Sequence, residues 1–204
     1  MPDQQLASSK YRQGAATYDD SNRFRRLRRH CVDLLDLKPG DVVLDVACGT
    51  GLNFPLIQAA IGERGRLIGV DLSPDMLTVA RARVSENGWT NVSLLTSSVE
   101  DADIPGDLDA ALFFLTHDVM RSPLAIQSVL QSLSQGGRVV AAGAKWAPWW
   151  AWPVNIPVWF GARQYTTTLE GFSRPWSHLH RHIADLKTEV HMYGTMYVAA
   201  GVKE

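Results

Sequence analysis

The sequence predicts an α/β domain with a Rossmann-like, doubly wound and mostly parallel seven-stranded sheet that has helices on both faces. Short β-rich apolar runs alternate with longer helical patterns along the chain, which is typical of α/β layering. The runs at 110–115 and 138–144 are too apolar for strands with one face in water, as expected in a covered parallel sheet. Segments 188–192 and 195–202 flank Tyr193-Gly194, a connection short enough for a C-terminal antiparallel hairpin.

The earlier elements have equally local signals. Segments 42–46, 67–71 and 92–96 read as the first three strands, and 53–61 as the helix after a glycine-rich turn. Ser73 is an N-cap candidate with Pro74 at the first helical position, and that helix continues to Gly88. A basic helix at 21–37 precedes the sheet.

The length, charge and composition of the chain limit the classes of function that fit it. The 204 residues suit one domain, and 20 Lys plus Arg against 21 Asp plus Glu leave no charge surplus for nucleic-acid binding. Cys31 and Cys48 suggest neither a disulfide framework nor a zinc cage, so a reducing cytoplasm fits best. The polar N-terminus lacks the apolar core of a secretory signal. The sequence also contains no uninterrupted run of about 18 apolar residues, the length needed to span a membrane.

A glycine turn and a downstream acid indicate an adenosine-containing ligand. Gly49 and Gly51 follow the first strand, where a ligand can approach the backbone, and Asp71 ends the second strand, from which a carboxylate can accept ribose hydroxyl protons. Phe54 occupies the position of the third glycine of a dinucleotide turn, and no Gly-Lys-Ser/Thr triplet follows, so a phosphate-free ligand is preferred. Glycines used only for tight packing of strand and helix are the alternative.

These residues resemble the first two motifs of class I S-adenosylmethionine-dependent methyltransferases, in particular the quinone-biosynthesis and phospholipid N-methyltransferase branch. The matching stretches are Leu44-Asp45-Val46-Ala47-Cys48-Gly49-Thr50-Gly51 and Gly69-Val70-Asp71-Leu72-Ser73-Pro74-Asp75-Met76-Leu77, and the resemblance runs from about Tyr11 to Ala144. It implies S-adenosylmethionine as cofactor and divides the chain into an N-terminal lid and basic helix at 1–38, a cofactor-binding core at 39–144, an acceptor cap at 145–186 and the hairpin at 187–204.

The resemblance also implies roles for individual residues. Asp45 supports the methionine end of the cofactor, Asp71 holds the ribose, and Thr116 lies near the transferring methyl. Members of the family often have an acid at the position of Ser98 to bind the adenine amino group, so that contact is open or passes to Glu100. The full set of implied cofactor-binding residues is Tyr11, Tyr18, Asp45, Ala47, Cys48, Gly49, Gly51, Asn53, Asp71, Leu72, Met76, Ser98, Val99 and Thr116.

Methyl transfer needs alignment of the reactants and few catalytic side chains. His117 is the candidate base for an amine or hydroxyl acceptor, with a polar loop residue as the alternative, and Asp118 would orient its ring or cap the next helix. Tyr18 is the second candidate catalytic residue; with Tyr11 it resembles the lid over the cofactor, although both tyrosines could instead pack on the sheet.

Segment 146–160 holds five of the seven tryptophans and three prolines, which predicts an irregular cap rather than one helix. Its indoles would face an apolar or cationic acceptor, so N-methylation is slightly favoured over O- or C-methylation. Core packing and an interfacial belt that touches lipid are the alternatives. The five arginines at 23–29 could bind anionic lipid or form a solvated helix face.

Three histidines at alternate positions, His178, His180 and His182, do not converge as ligands from one helix, so no metal is expected. The sequence therefore predicts methyl transfer to a small-molecule or lipid-headgroup acceptor, with peripheral membrane contact as an additional expectation. A catalytically inactive cofactor-binding module that serves regulation or interaction is the alternative, and a nicotinamide oxidoreductase is a third class that Phe54 disfavours.

Overall fold

The computed structural model describes residues 24–204, with Gln164 and Tyr165 described by their backbone alone, and its centre is a seven-stranded sheet. The strand order is β3-β2-β1-β4-β5-β7-β6, and β7 alone runs antiparallel to its neighbours β5 and β6. The predicted Rossmann-like, mostly parallel sheet with a C-terminal antiparallel hairpin is confirmed. The strands are β1 Val42–Val46, β2 Arg66–Asp71, β3 Val92–Thr96, β4 Leu108–Phe114, β5 Leu133–Ala144, β6 Lys187–His191 and β7 Met196–Val202.

Within residues 24–204, six α-helices connect or flank these strands, and two of them begin with the local signals expected of helix starts. Ser73 accepts a hydrogen bond from the Met76 backbone N–H at 3.3 Å, and Ser122 accepts one from Ala125 at 3.3 Å. A proline follows each of these caps, where its missing N–H has no helical partner to lose. The helices are α1 Arg25–Leu34, α2 Phe54–Ile61, α3 Pro74–Glu86, α4 His117–Met120, α5 Pro123–Ser132 and α6 Asn155–Tyr165.

The core lies on both faces of the sheet, because side chains alternate along each strand. Leu44 and Phe113 pack in one cluster with helix α5, whereas Val43 and Leu112 pack in the other with helices α1 and α2. All four of these side chains are fully buried. Covering both faces leaves the edge formed by the carboxyl ends of the strands as the place where a site can open.

Most predicted strand boundaries lie within one or two residues of the observed ones, whereas strand β5 and the basic helix differ more. Strand β5 begins at Leu133 rather than near position 138, because the chain pairs with Leu108 before a register shift and a glycine at φ +77° (Gly136) bring it back into line. The basic helix is described from Arg25 to Leu34. Tyr11 and Tyr18, the predicted lid residues, lie outside the described residues.

The proline-rich segment is not one continuous helix, as predicted, but it forms two consecutive helices where an irregular cap was expected. Residues Trp149–Val154 form a 3₁₀-helix, and helix α6 follows at once. Pro157 is tolerated in α6 because it lies in the first turn, where its nitrogen would have no intrahelical acceptor. Within residues 24–204, no helix is both long enough and apolar enough to cross a membrane.

Candidate functional site

The turns after β1 and β4 meet at the same edge of the sheet. Val46, the last residue of β1, pairs with Val70 of β2 on one side and with Phe113 of β4 on the other. The residues that follow bend sharply, with positive φ values of +49° at Ala47 and +61° at Leu115. Two non-glycine residues in left-handed conformations at neighbouring strand ends are strained, which is common at functional sites.

The glycine turn after β1 presents its backbone to open space. Gly49 has φ +57°, and a Cβ added there would meet no atom within 4 Å. Gly51 has φ +77°, and a Cβ there would lie 2.6 Å from the ring of Phe54. Gly49 therefore leaves room for a ligand, whereas Gly51 is required by the close packing of Phe54.

Asp71 connects this turn to the turn after β2. Its Oδ2 accepts a hydrogen bond from the Gly49 backbone N–H at 2.8 Å, and its Oδ1 accepts one from Ser73 at 2.8 Å. The residue is 9% exposed, and burial raises the pKa of its carboxyl above the ordinary value. Each carboxylate oxygen can accept more than one hydrogen bond, so both retain capacity for a ligand hydroxyl.

Asp45, the residue before the last of β1, is completely buried, and only one of its two carboxylate oxygens has a hydrogen-bond partner among the described residues. Its Oδ1 accepts a hydrogen bond from Asn53 Nδ2 at 2.7 Å, while Oδ2 has no partner among the described residues. Burial raises the pKa of Asp45 to about 7, against the opposing effects of the Asn53 hydrogen bond and the Arg28 charge. An orphaned buried carboxylate oxygen is a position where a ligand cation would gain a strong hydrogen bond.

Arg28 of helix α1 supports this carboxylate through Asn53. Its guanidinium donates to Asn53 Oδ1 at 2.5 Å and lies 4.3 Å from the centroid of the Phe114 ring. This role of Arg28 was not predicted from the sequence, because nothing in the local pattern separates Arg28 from the exposed Arg25, Arg26 and Arg29.

The turn after β4 carries a second buried polar pair. Thr116 and His117 are 6% and 8% exposed, and the Thr116 hydroxyl and both His117 ring nitrogens lack a hydrogen-bond partner of good geometry in the described part of the chain. The His117 ring packs on Phe172 at 4.8 Å between centroids, and Phe172 packs on Trp146 at 4.9 Å. Burial lowers the pKa of His117, so the ring is neutral at pH 7 and has one nitrogen free to accept a proton.

Asp118, next in the chain, serves another purpose. Its two carboxylate oxygens accept hydrogen bonds from the Thr167 backbone N–H at 2.9 and 3.2 Å. Asp118 therefore holds the segment after helix α6 against the site and does not orient the His117 ring.

The residues expected to contact the adenine follow strands β2 and β3. Leu72 is half-buried, whereas Met76 and Val99 are only 2% and 4% exposed. Ser98 donates to Asp101 Oδ2 at 2.7 Å, and the Asp101 backbone N–H returns a bond to the Ser98 hydroxyl. Asp101 is thus the acid nearest Ser98, a residue that the motif comparison passed over.

Glu100, the expected substitute for Ser98, is engaged elsewhere. Its carboxylate accepts a hydrogen bond from the Ser122 hydroxyl at 2.6 Å, which connects it to the start of helix α5. Cys48 lies in the glycine turn with 7% exposure, and burial raises the pKa of its thiol well above the ordinary value. Cys48 therefore stays protonated and lines the turn as a small apolar group.

Several known proteins that are similar in sequence to this chain are methyltransferases. Residues 43–137, which span β1 to the start of β5, match a family described as "Methyltransferase domain". A demethylmenaquinone methyltransferase of Symbiobacterium thermophilum is 30% identical over 139 residues, 64% of this chain and 55% of the relative. The aklanonic acid methyltransferase DauC of a Streptomyces species is 32% identical over 62% of this chain and 60% of the relative.

The chain thus spans a little over half the length of these curated relatives. Among solved structures, the N-methyltransferase NodS of Bradyrhizobium japonicum, in complex with S-adenosylhomocysteine, shares the fold with a TM-score of 0.71. The two chains are 16% identical, and the alignment covers 97% of this chain and 98% of that one. The shared fold extends through the C-terminal hairpin, beyond the residues that the family description matches.

Replacing Asp45 with Asn should reduce the pH dependence of stability. The folded pKa of about 7 exceeds the ordinary 3.8, so the folded chain binds this proton more tightly than the unfolded chain and loses stability as pH rises between those values. From pH 5 to pH 8 the loss attributable to Asp45 is roughly 2–3 kcal/mol of unfolding free energy. Urea unfolding of the wild type and Asp45→Asn at both pH values measures it. Asp107→Asn, at an exposed carboxylate, is the control; equal pH dependence of wild type and Asp45→Asn would refute the assignment.

Proposed function

We propose that the chain is a class I S-adenosylmethionine-dependent methyltransferase that transfers the methyl group of S-adenosylmethionine to a small-molecule acceptor. The observation that carries this proposal is the pair of buried carboxylates beside the open glycine turn. Asp71, and Asp45 when it is ionised, raise the energy of a negative charge placed beside them, which disfavours a cofactor phosphate in contact with either carboxylate. A ligand with a sulfonium and an ammonium group is favoured at the same place.

The residues present fit that cofactor. The free capacity of Asp71 suits two ribose hydroxyls, the unpartnered Oδ2 of Asp45 suits the ammonium of the methionine end, and the space at Gly49 admits the ligand next to the backbone. When bound, S-adenosylmethionine supplies a methyl carbon that its sulfonium already makes electrophilic. The protein therefore has to hold the acceptor in line and keep water out.

His117 is the group that would take the acceptor's proton. It is buried, neutral at pH 7 and next to Thr116 at the end of β4, two strands from Asp71 in the sheet. A neutral ring nitrogen without a protein partner can accept a proton from an amine or hydroxyl in contact with it. The Thr116 hydroxyl, also unpartnered, would bind either the acceptor or the methionine end of the cofactor.

The rings beside His117 favour nitrogen as the atom that is methylated. Phe172 contacts the His117 ring, and Trp146 extends the same aromatic wall. Methylation of an amine builds positive charge on nitrogen, and aromatic faces stabilise a cation. The exposed tryptophans no longer support this preference: Trp149, Trp150 and Trp152 are 86%, 69% and 64% exposed.

That exposure removes the core-packing interpretation of the three tryptophans and favours the interfacial one. With Phe160, 62% exposed, they form what we term the aromatic surface, which Pro148 joins to the turn after β6 by packing against Gly194. Tyr193 in that turn is 88% exposed. Large aromatic side chains in water are unusual in a soluble domain, whereas they are enriched at the membrane–water interface.

The charge of this segment suits an anionic lipid surface. Residues 145–169 contain no Asp or Glu, and their two charged residues are Lys145 and Arg163. The Arg163 guanidinium lies 4.4 Å from the centroid of the Trp159 ring. We therefore propose that the aromatic surface contacts membrane lipid and that the acceptor is a lipid headgroup or an apolar molecule dissolved in the membrane. The curated relative named for demethylmenaquinone is consistent with an apolar acceptor.

Replacing Asp71 with Asn should weaken binding of S-adenosylmethionine by about 10- to 100-fold, because a charge-assisted acceptor of the ribose hydroxyls becomes a neutral one. Calorimetry with S-adenosylmethionine and S-adenosylhomocysteine measures the change. Asp107→Asn should bind like the wild type. Unchanged affinity in Asp71→Asn, or binding of NAD in place of S-adenosylmethionine, would contradict the proposed cofactor site.

Replacing His117 with Gln should lower kcat by about 10²- to 10⁴-fold and leave cofactor affinity unchanged, because the base is lost while the cofactor contacts remain. The assay follows labelled methyl transfer to matched amines, phenols and quinols, and the exposed His182→Gln variant is the control. Transfer mainly to phenols or quinols would overturn the preference for nitrogen. Cofactor binding by the wild type without transfer to any acceptor would favour the inactive binding module.

Replacing Trp149, Trp150 and Trp152 together with Ser should reduce binding to anionic vesicles by at least about tenfold, since their burial in the interface is lost. Sedimentation with phosphatidylglycerol-containing vesicles measures it. Leu124→Ser removes a 55% exposed apolar side chain from helix α5 and serves as the control. If the wild type ignores vesicles, or the triple variant binds them equally well, the aromatic surface does not dock on lipid.

A further inference from the structure

A cluster of metal-ligating side chains lies away from the proposed methyl-transfer site. His30 of helix α1 and Glu189 and His191 of strand β6 bring one ligand atom each to within 4.8 Å of one another. The Nε2 atoms of His30 and His191 lie 2.8 and 3.1 Å from the same Glu189 Oε2. His178, His180 and His182 are not part of this group.

The fold explains why these three side chains converge. Glu189 and His191 are two residues apart on one strand, so they project from the same face of the sheet. Strand β6 is the edge strand, and helix α1 places His30 over that face. The two imidazole rings meet edge to face with centroids 5.5 Å apart, which turns both Nε2 atoms toward the carboxylate.

Two imidazoles and one carboxylate form a donor set typical of zinc and similar divalent transition metals. Ligand atoms around a tetrahedral zinc ion lie about 3.3 Å apart, given Zn–N and Zn–O bonds of about 2.0–2.2 Å. The separations of 2.8 and 3.1 Å from Glu189 Oε2 therefore need to open by up to about 0.5 Å, and the two Nε2 atoms, which lie within 4.8 Å of each other, need to come to about 3.3 Å. The side chains are 33–47% exposed, so water could supply a fourth ligand.

The surroundings favour a metal that bonds well to imidazole over calcium or magnesium. Arg25, Arg26 and Arg29 line a groove beside His30, and their charges repel a cation held by electrostatics alone. Calcium and magnesium require oxygen-rich sites with several carboxylates or carbonyls. The cluster offers one carboxylate.

We propose that His30, Glu189 and His191 form a binding site for a divalent transition metal that fastens helix α1 to edge strand β6. The bonds to the metal would replace the present contacts between the two histidines and Glu189. Because Arg28 lies one half-turn before His30 on the same helix, the metal would also stabilise the position from which Arg28 reaches Asn53. The site is independent of the proposed activity.

The test uses the full chain after dialysis against a chelator, with zinc alone as the ligand. Calorimetry should show one zinc per chain, and zinc at about 100 times its dissociation constant should raise the melting temperature by roughly 5–10 °C. His30→Gln and His191→Gln should each lose the rise and the binding. His180→Gln, at an exposed histidine in a 3₁₀ turn, should keep both.

Cobalt adds a readout that a structural role of the histidines would not produce. The wild type and His180→Gln should develop visible d–d absorption with cobalt, while folded His30→Gln and Glu189→Gln should not. The absence of stoichiometric zinc binding by the wild type would overturn the proposal. Unchanged zinc binding by a His30→Gln, His191→Gln double variant would overturn it as well.

Discussion

The organisation of the site depends on the carboxylate of Asp71. By accepting one backbone N–H from the turn after β1 and one from the turn after β2, it fixes two neighbouring strand ends relative to each other. Such bonds to a buried charge are stronger than those between neutral groups, which offsets the cost of keeping the carboxylate away from water. The strained backbone at Ala47 is retained within this frame.

Helix α1 connects distant parts of the same molecule. Its buried face packs on the sheet through Leu27 and Cys31, Arg28 reaches the buried polar chain of Asn53 and Asp45, and His30 contacts the edge strand. The charge of Arg28 partly offsets that of a carboxylate which otherwise has only one protein partner. A helix that precedes the sheet in sequence thus contributes to the electrostatics of a site built from strand ends.

The aromatic surface shows how the molecule separates two uses of aromatic side chains. Trp146 and Phe172 face inward and form the wall beside His117, whereas Trp149, Trp150 and Trp152 face water. Pro148 separates the two groups of aromatic residues. It directly precedes the 3₁₀-helix and packs against Gly194 in the turn between β6 and β7. The inner wall and the outer surface are thus only three residues apart in the chain, from Trp146 to Trp149.

The sequence by itself determined the sheet, the glycine turn and the place of Asp71 at a strand end, whereas the burial of His117 is known only from the structure. The first three features follow from local patterns, since strand alternation, helix caps and glycine turns act over a few residues. Only the tertiary structure decided that Arg28 reaches Asn53, that Asp118 binds Thr167, that Asp101 accompanies Ser98, that His30 meets Glu189 and that three tryptophans face outward. Contacts between segments tens of residues apart depend on packing of whole elements, and side-chain exposure depends on what lies opposite, which a local pattern does not encode.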